Sequence, residues 1–176
     1  MTERVVVIGA DAAGMSAASQ AMRTARRHGR ALEIVALERG NWTSYSACGI
    51  PYWVAGTVDG PDALVARTPA QHRANGIDVR LRTEALHLDL ESRSVGYVDR
   101  RTSAEGTLEF DQVVIATGAR PIRPDVPGVD ATGVHGVQTL DDGAALLHRL
   151  TSRRPRRAVI VGGGYIGIEM AEAMVE

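Results

Sequence analysis

Val5-Val6-Val7-Ile8-Gly9-Ala10-Asp11-Ala12-Ala13-Gly14 is the stretch whose reading decides the fold. Its first four residues are wholly apolar and β-branched, as in a parallel strand covered on both faces. Gly9 follows at once and permits a tight turn. An alanine-rich helix is expected from about Met15 to Arg27, ended by His28-Gly29. Strand, glycine turn and helix in this order are the context that a dinucleotide fingerprint requires. Gly14 lets the helix pack close to the strand, and the helix N-terminus offers backbone N–H groups to a pyrophosphate. The middle position departs from the pattern. Asp11 stands where glycine ordinarily lets backbone approach phosphate, so its carboxylate is expected to point away from the diphosphate. A second strand, Leu32 to Leu37, ends in Glu38. An acidic residue about twenty residues beyond the turn is placed to hydrogen-bond ribose hydroxyls; the plainer alternative is a solvated charge at a strand end.

The pattern returns near the other end of the chain. Ala158-Val159-Ile160-Val161 reads as an apolar strand, and Gly162-Gly163-Gly164-Tyr165-Ile166-Gly167-Ile168-Glu169 carries a complete G-x-G-x-x-G at Gly162, Gly164 and Gly167. One such fingerprint is weak; two in one chain point to a site for FAD and another for a nicotinamide. Between them, Thr43-Ser44-Tyr45-Ser46-Ala47-Cys48-Gly49-Ile50-Pro51-Tyr52 holds the only cysteine in 176 residues. A lone cysteine is ordinarily a small buried hydrophobe. Here serines, glycine and proline surround the sulfur, which suggests a loop entering a helix, where a thiolate is favoured over a thiol.

The rest of the chain reads as scaffold. Thr68-Pro69 has the form of a helix cap followed by a first-turn proline, with the helix ending near Asn75-Gly76. Ile77 to Leu81 is expected as a third parallel strand. The period then becomes two over Ala85–Leu90, Ser94–Val98 and Thr107–Phe110, an antiparallel meander inserted before the next parallel strand, Gln112 to Ile115. That strand runs into Ala116-Thr117-Gly118, where glycine again allows close approach of a ligand. Pro121, Pro124 and Pro127 mark a boundary, and Asp141 to Leu150 reads as a helix.

Composition narrows the function. Hydrophobic residues make up 44% and the net charge is −1, ordinary for a globular domain with no global attraction to nucleic acid or membranes. The run Arg153-Arg154-Pro155-Arg156-Arg157 lacks interleaved aromatics, which a single-strand nucleic-acid surface would show. No apolar run approaches the ~18 residues of a membrane span. A single cysteine excludes an intrachain disulfide, no signal-peptide pattern opens the chain, and no histidine or cysteine pair stands at metal-ligand spacing. A cytoplasmic protein without a metal is the expectation.

These motifs together make the chain resemble the FAD-dependent pyridine nucleotide-disulfide oxidoreductases, in their single-cysteine branch of coenzyme A-disulfide reductases, persulfide reductases and NADH oxidases. The likeness runs through Val7 to Ala18, Ser44 to Gly49 (an S-[FY]-x-x-C-G motif), Ala116 to Pro121, and Gly162 to Glu169. It implies an α/β fold: a Rossmann-like FAD-binding domain over residues 1–125, with parallel sheet and inserted meander, a connecting segment 126–156, and the start of a Rossmann-like NAD(P)H-binding domain over 157–176.

It further implies FAD contacts at Gly9, Ala12, Ala13, Gly14, Glu38, Arg39, Ser46, Ala116, Thr117 and Gly118. NADH or NADPH contacts fall at Gly162, Gly164, Tyr165, Ile166, Gly167 and Glu169. Cys48 is the redox residue, and Ser16, Gln20, Arg23 and Ser44 are substrate contacts for a thiol or disulfide such as coenzyme A disulfide or a persulfide. The alternatives are an NADH oxidase that reduces oxygen through a cysteine sulfenic acid, and a non-catalytic FAD-binding module. Ala47 departs from the asparagine common in the coenzyme A group, whereas Pro51-Tyr52 favours that group over the oxidases. The chain is expected to be an inactive N-terminal fragment of a homodimeric enzyme, with its strand at Ala158 to Val161 short of cover.

Overall fold

The computed structural model describes residues 2–175. In chain order the elements are β1 (Glu3–Ile8), α1 (Ala12–Arg27), β2 (Leu32–Glu38), α2 (Ile50–Val54), α3 (Pro69–Ala74), β3 (Ile77–Leu81), β4 (Thr83–Asp89), β5 (Ser94–Asp99), β6 (Ala104–Glu109), β7 (Gln112–Ile115), α4 (Leu140–Arg153) and α5 (Tyr165–Ala173). They fall into two compact units, Met1–Tyr45 with Val65–Gly118, and Ser46–Leu64 with Ala119–Glu176.

The first unit has three layers. Its parallel sheet has the order β3-β2-β1-β7, and β4-β5-β6 form a separate antiparallel sheet. Alternation along β1 builds a core on each side of the parallel sheet. Val5 and Val7 pack with Met15, Ala18 and Met22 of α1 and with Ile34, Ile77 and Val79. Val6 turns the other way, onto Val35, Leu37, Val95 and Phe110, so the meander covers that face. Each such aliphatic side chain contributes about 1.5–3 kcal/mol when fully buried. Both faces of the sheet are therefore dry, which is why the strands read as apolar runs. The α/β class, the third parallel strand and the meander are as the sequence indicated.

In the second unit, α2 packs against α4 and α5. Gly143 makes the first of these contacts possible: a β-carbon there would lie 2.9 Å from Ile50 Cγ2 and 3.0 Å from Trp53 Cζ3. Leu140 is fully buried, as are most of Met170 and Ala173. A reciprocal cap between Thr139 and Asp142 starts α4.

Three local expectations are corrected. Helix α1 starts at Ala12, not near Met15, because Ala12–Gly14 already form its first turn. Strand β6 begins at Ala104, ahead of the expected start at Thr107, because Ala104 pairs with Asp99. Residues 158–161 form no strand: they have no ladder partner, and Val159 and Val161 are 78% and 89% exposed. Apolar β-branched composition suits a strand, but only a neighbouring strand satisfies its backbone. The expected shortage of cover there is present.

Candidate dinucleotide and cysteine sites

The turn after β1 is crowded enough to demand glycine twice. Gly9 has φ +99°, and a β-carbon on it would overlap the carbonyl oxygen of Ala116. A β-carbon on Gly14 would overlap the carbonyl oxygen of Gly9 and come within 2.9 Å of Val7 Cγ1. Backbone bonds hold the turn on both sides: Gly9 N–H donates to Leu37 O at 2.9 Å and Ala116 N–H to Ile8 O at 2.8 Å. Glu38 closes it from the end of β2. One carboxylate oxygen accepts from Ala10 N–H at 2.9 Å, the other from Gly40 N–H at 2.8 Å. The backbone thus fixes Glu38 beside the turn, next to the exposed Arg39. Ala12 and Ala13 are exposed at the start of α1, where first-turn N–H groups have no intrahelical partner.

Asp11 is engaged by the loop that follows β2. Its carboxylate accepts from Tyr45 N–H at 3.2 Å. Burial raises its pKa, while hydrogen bonding from the backbone N–H groups of Tyr45, Ala12 and Ser44 opposes the rise. The residue that breaks the glycine pattern therefore ties down the loop leading to the cysteine. Thr43 helps, its hydroxyl donating to Ala10 O.

Ser16, Gln20 and Arg23 lie on one exposed face of α1. The Arg23 guanidinium donates to Gln20 Oε1 at 2.7 Å, and Gln20 Nε2 donates to Thr24 Oγ1 at 3.3 Å. Ser44 is half-buried in a left-handed conformation, φ +49°. Its Oγ lies 2.9 Å from Nε2 of His72 on α3. After β7, Thr117 and Gly118 are exposed, with Ala116 partly buried, and Gly118 has φ +68°, where an added β-carbon would meet nothing within 4 Å.

The second unit carries the cysteine. Ala47–Gly49 form a single 3₁₀ turn that runs directly into α2. Ser46 N–H donates to Leu64 O at 2.8 Å, and Gly49 N–H to Ser46 O at 3.0 Å. A β-carbon on Gly49 would overlap Leu64 Cδ2. The sulfur itself is exposed, as are Ser46 and Ala47. The loop-into-helix reading holds locally, and Cys48 is not a core residue.

The second glycine turn is in the same unit. Gly162 has φ +109°, and a β-carbon on Gly167 would overlap the carbonyl oxygen of Gly162. Gly164 is the N-cap of α5. Gly162, Gly164, Tyr165 and Ile166 are exposed; Gly167 and Glu169 are partly covered.

Two residues escaped the sequence reading. In the sequence Thr43 reads only as the start of the cysteine loop. His72 is a lone histidine on a short helix, and no spacing marks it. Among the described residues no cluster of three or more His, Cys, Asp or Glu side chains could hold a metal, and no helix is long and apolar enough to cross a membrane.

A parallel sheet of this order, with a glycine turn leading into the helix that covers it, defines a dinucleotide-binding α/β domain. The chain belongs to the pyridine nucleotide-disulphide oxidoreductase family, whose model matches residues 3–176. That family is one of FAD-dependent enzymes that use a pyridine nucleotide. The chain is 34% identical over 169 residues to an NADH oxidase of Methanocaldococcus jannaschii, covering 96% of this chain and 37% of that protein. It is 38% identical over 175 residues to the NAD(P)H coenzyme A polysulfide/persulfide reductase of Pyrococcus horikoshii, covering 98% and 37%. The reduced CoADR-RHD of Bacillus anthracis superposes with a TM-score of 0.93 at 26% identity, covering 99% of this chain and 31% of that one. The chain thus spans little more than a third of the length of these curated relatives. The first turn fits a flavin dinucleotide: its glycines leave no room for side chains, the start of α1 is open, and the one carboxylate at the middle position is engaged elsewhere.

Proposed function

We propose that the chain is the front part of a flavin-dependent NAD(P)H oxidoreductase that reduces a disulfide or persulfide through Cys48. Residues 1–125 bind FAD, 126–156 connect, and 157–176 begin the nicotinamide domain of a longer, homodimeric enzyme. The FAD contacts are Gly9, Ala12, Ala13, Gly14, Glu38, Arg39, Ser46, Ala116, Thr117 and Gly118. The nicotinamide contacts are Gly162, Gly164, Tyr165, Ile166, Gly167 and Glu169. The observation that carries this reading is the exposure of the lone sulfur on a braced 3₁₀ turn, where a structural cysteine would be buried.

When bound, a flavin supplies two electrons taken as hydride from NAD(P)H. The chain's own residues do the sulfur chemistry. The Cys48 thiolate attacks one sulfur of the substrate disulfide, the S–S bond breaks, and one substrate thiolate leaves. Two electrons then reopen the mixed disulfide, returning Cys48 to the thiolate and releasing the second substrate thiolate, which takes a proton from water. Ser16, Gln20, Arg23 and Ser44 supply hydroxyl, amide and guanidinium donors suited to the phosphates and amides of coenzyme A.

The relative named NADH oxidase favours a second reading, in which Cys48 passes through a sulfenic acid and oxygen is the acceptor. The full-length enzyme supplied with NADH separates the two. Consumption of coenzyme A disulfide, abolished by Cys48→Ser, is expected. Oxygen consumption at the same rate without any thiol substrate would favour the oxidase. Indifference of both activities to Cys48→Ser would remove both readings.

A further inference from the structure

His72 is 1% exposed, and its Nδ1 is the one buried side-chain nitrogen or oxygen without a hydrogen-bond partner among the described residues. Its other nitrogen, Nε2, is 2.9 Å from Ser44 Oγ. These two facts decide where the ring proton sits. A proton on Nδ1 would leave a buried N–H with nothing to donate to, which folded proteins rarely tolerate; a bare lone pair there is the lesser cost. A doubly protonated ring would bury the same orphan N–H together with a charge. Burial lowers the His72 pKa and the Arg67 charge lowers it further, in keeping with a neutral ring. The proton is therefore on Nε2, and the histidine is the donor.

The consequence falls on Ser44. Its Oγ accepts from His72, so its own O–H must point to another acceptor. The loop around it is already fixed: the carboxylate of Asp11 takes Tyr45 N–H, Ala66 N–H donates to Ser44 O at 2.8 Å, and Ser44 itself is held at φ +49°. A left-handed serine is strained and persists only where surrounding contacts over-determine it.

We propose that His72 is a positioning residue for Ser44: its neutral ring, protonated at Nε2, donates to Ser44 Oγ and so aims the serine hydroxyl, as a donor, at an anionic group of the bound thiol substrate. The inference rests on the reading of Ser44 as a substrate contact, and it assigns a role to a residue that never touches substrate. Charge-assisted bonds from a hydroxyl to phosphate or thiolate are the strong ones, and a donor already oriented loses little freedom on binding.

The test has two arms. In two-bond ¹H–¹⁵N correlation spectra of the whole chain, His72 is expected as the neutral ring protonated at Nε2. A proton on Nδ1, or a charged ring at neutral pH, would overturn the proposal whatever the substrate is. The second arm is calorimetric titration of the full-length enzyme with coenzyme A. Ser44→Ala and His72→Leu are each expected to weaken binding about tenfold, the size of one lost charge-assisted hydrogen bond. His72→Gln, which returns an N–H near the Nε2 position, is expected to recover most of that loss. His72→Leu should unfold at an unchanged or higher temperature, because leucine removes the unpaired nitrogen. If Ser44→Ala weakens binding but His72→Leu does not, the positioning role fails and the reading of Ser44 survives. If neither matters, or the unaltered full-length enzyme does not bind coenzyme A, both fail.

Discussion

The two glycine turns of this chain share their local geometry and differ in everything around it. In each, the first glycine has φ near +100°, and a β-carbon on the glycine five residues later would overlap the carbonyl oxygen of the first. In each, that later glycine also faces the side chain two residues before the turn, Val7 in one case and Ile160 in the other. The surroundings then part. Gly9 is pressed against the backbone of Ala116, and β1 before it is paired on both sides. Gly162 faces open space, and residues 158–161 before it have no strand partner. The fingerprint is thus a short-range instruction, written in glycine spacing and obeyed without a sheet. The strand that precedes it is a long-range one, completed only by neighbours.

The largest test of this contrast is a matched pair of substitutions. Gly9→Ala combines a disfavoured φ with a collision against fixed backbone and should lower unfolding free energy by roughly 3 kcal/mol or more in urea denaturation. Gly162→Ala meets only the disfavoured φ and should cost about 1 kcal/mol. Equal losses would break the comparison. A second pair probes the strands. Ile34→Ala, in the core beneath α1, should cost about 3 kcal/mol. Val161→Ala should stay within about 0.5 kcal/mol, since its side chain is already in solvent. A third test asks what replaced glycine at the middle position. Asp11→Ala removes the acceptor for Tyr45 N–H and should cost about 1–2 kcal/mol. Gly164→Ala, at the matching position of the second turn, meets nothing within 4 Å and loses only the advantage of glycine over alanine at an N-cap, so it should cost less, about 0.5 kcal/mol.

The smallest effect is in pH, and its sign is fixed. The folded pKa of His72 lies below its ordinary 6.5, so the unfolded chain binds more protons between the two values. The stability present above pH 6.5 is therefore lost as pH falls from 6.5 through the folded value. Asp11 acts oppositely and at lower pH. Its folded pKa lies above 3.8, so its contribution is fully present below 3.8 and is lost as pH rises through the folded value. Denaturation midpoints measured across this range in His72→Leu and Asp11→Asn should separate the two slopes.

Much of the first unit was legible because its signals are local or periodic. The apolar runs at Val5–Ile8, Leu32–Leu37 and Gln112–Ile115 became parallel strands. The alternation after Leu81 became a meander, and Thr68-Pro69 became a capped helix start in which the Thr68 and Gln71 side chains bond each other's backbone. Gly9, Gly14 and Glu38 stand together at one turn, as their spacing implied. What was not legible depends on partners far along the chain. Nothing in Ala158–Val161 says that no strand will lie beside it. Nothing in the sequence around Asp11 says that its carboxylate will reach Tyr45. His72 is silent in sequence because its role arises only when α3 brings it to Ser44.

The account stands or falls on electron exchange between Cys48 and a flavin held at the first turn. The most direct measurement is the visible absorption spectrum of the FAD-loaded full-length enzyme after reduction with NADH, compared with its Cys48→Ser variant. A long-wavelength charge-transfer band that disappears in the variant while FAD stays bound is the predicted result. A band that survives the substitution, or an unaltered protein that binds FAD and shows no such band, would contradict it.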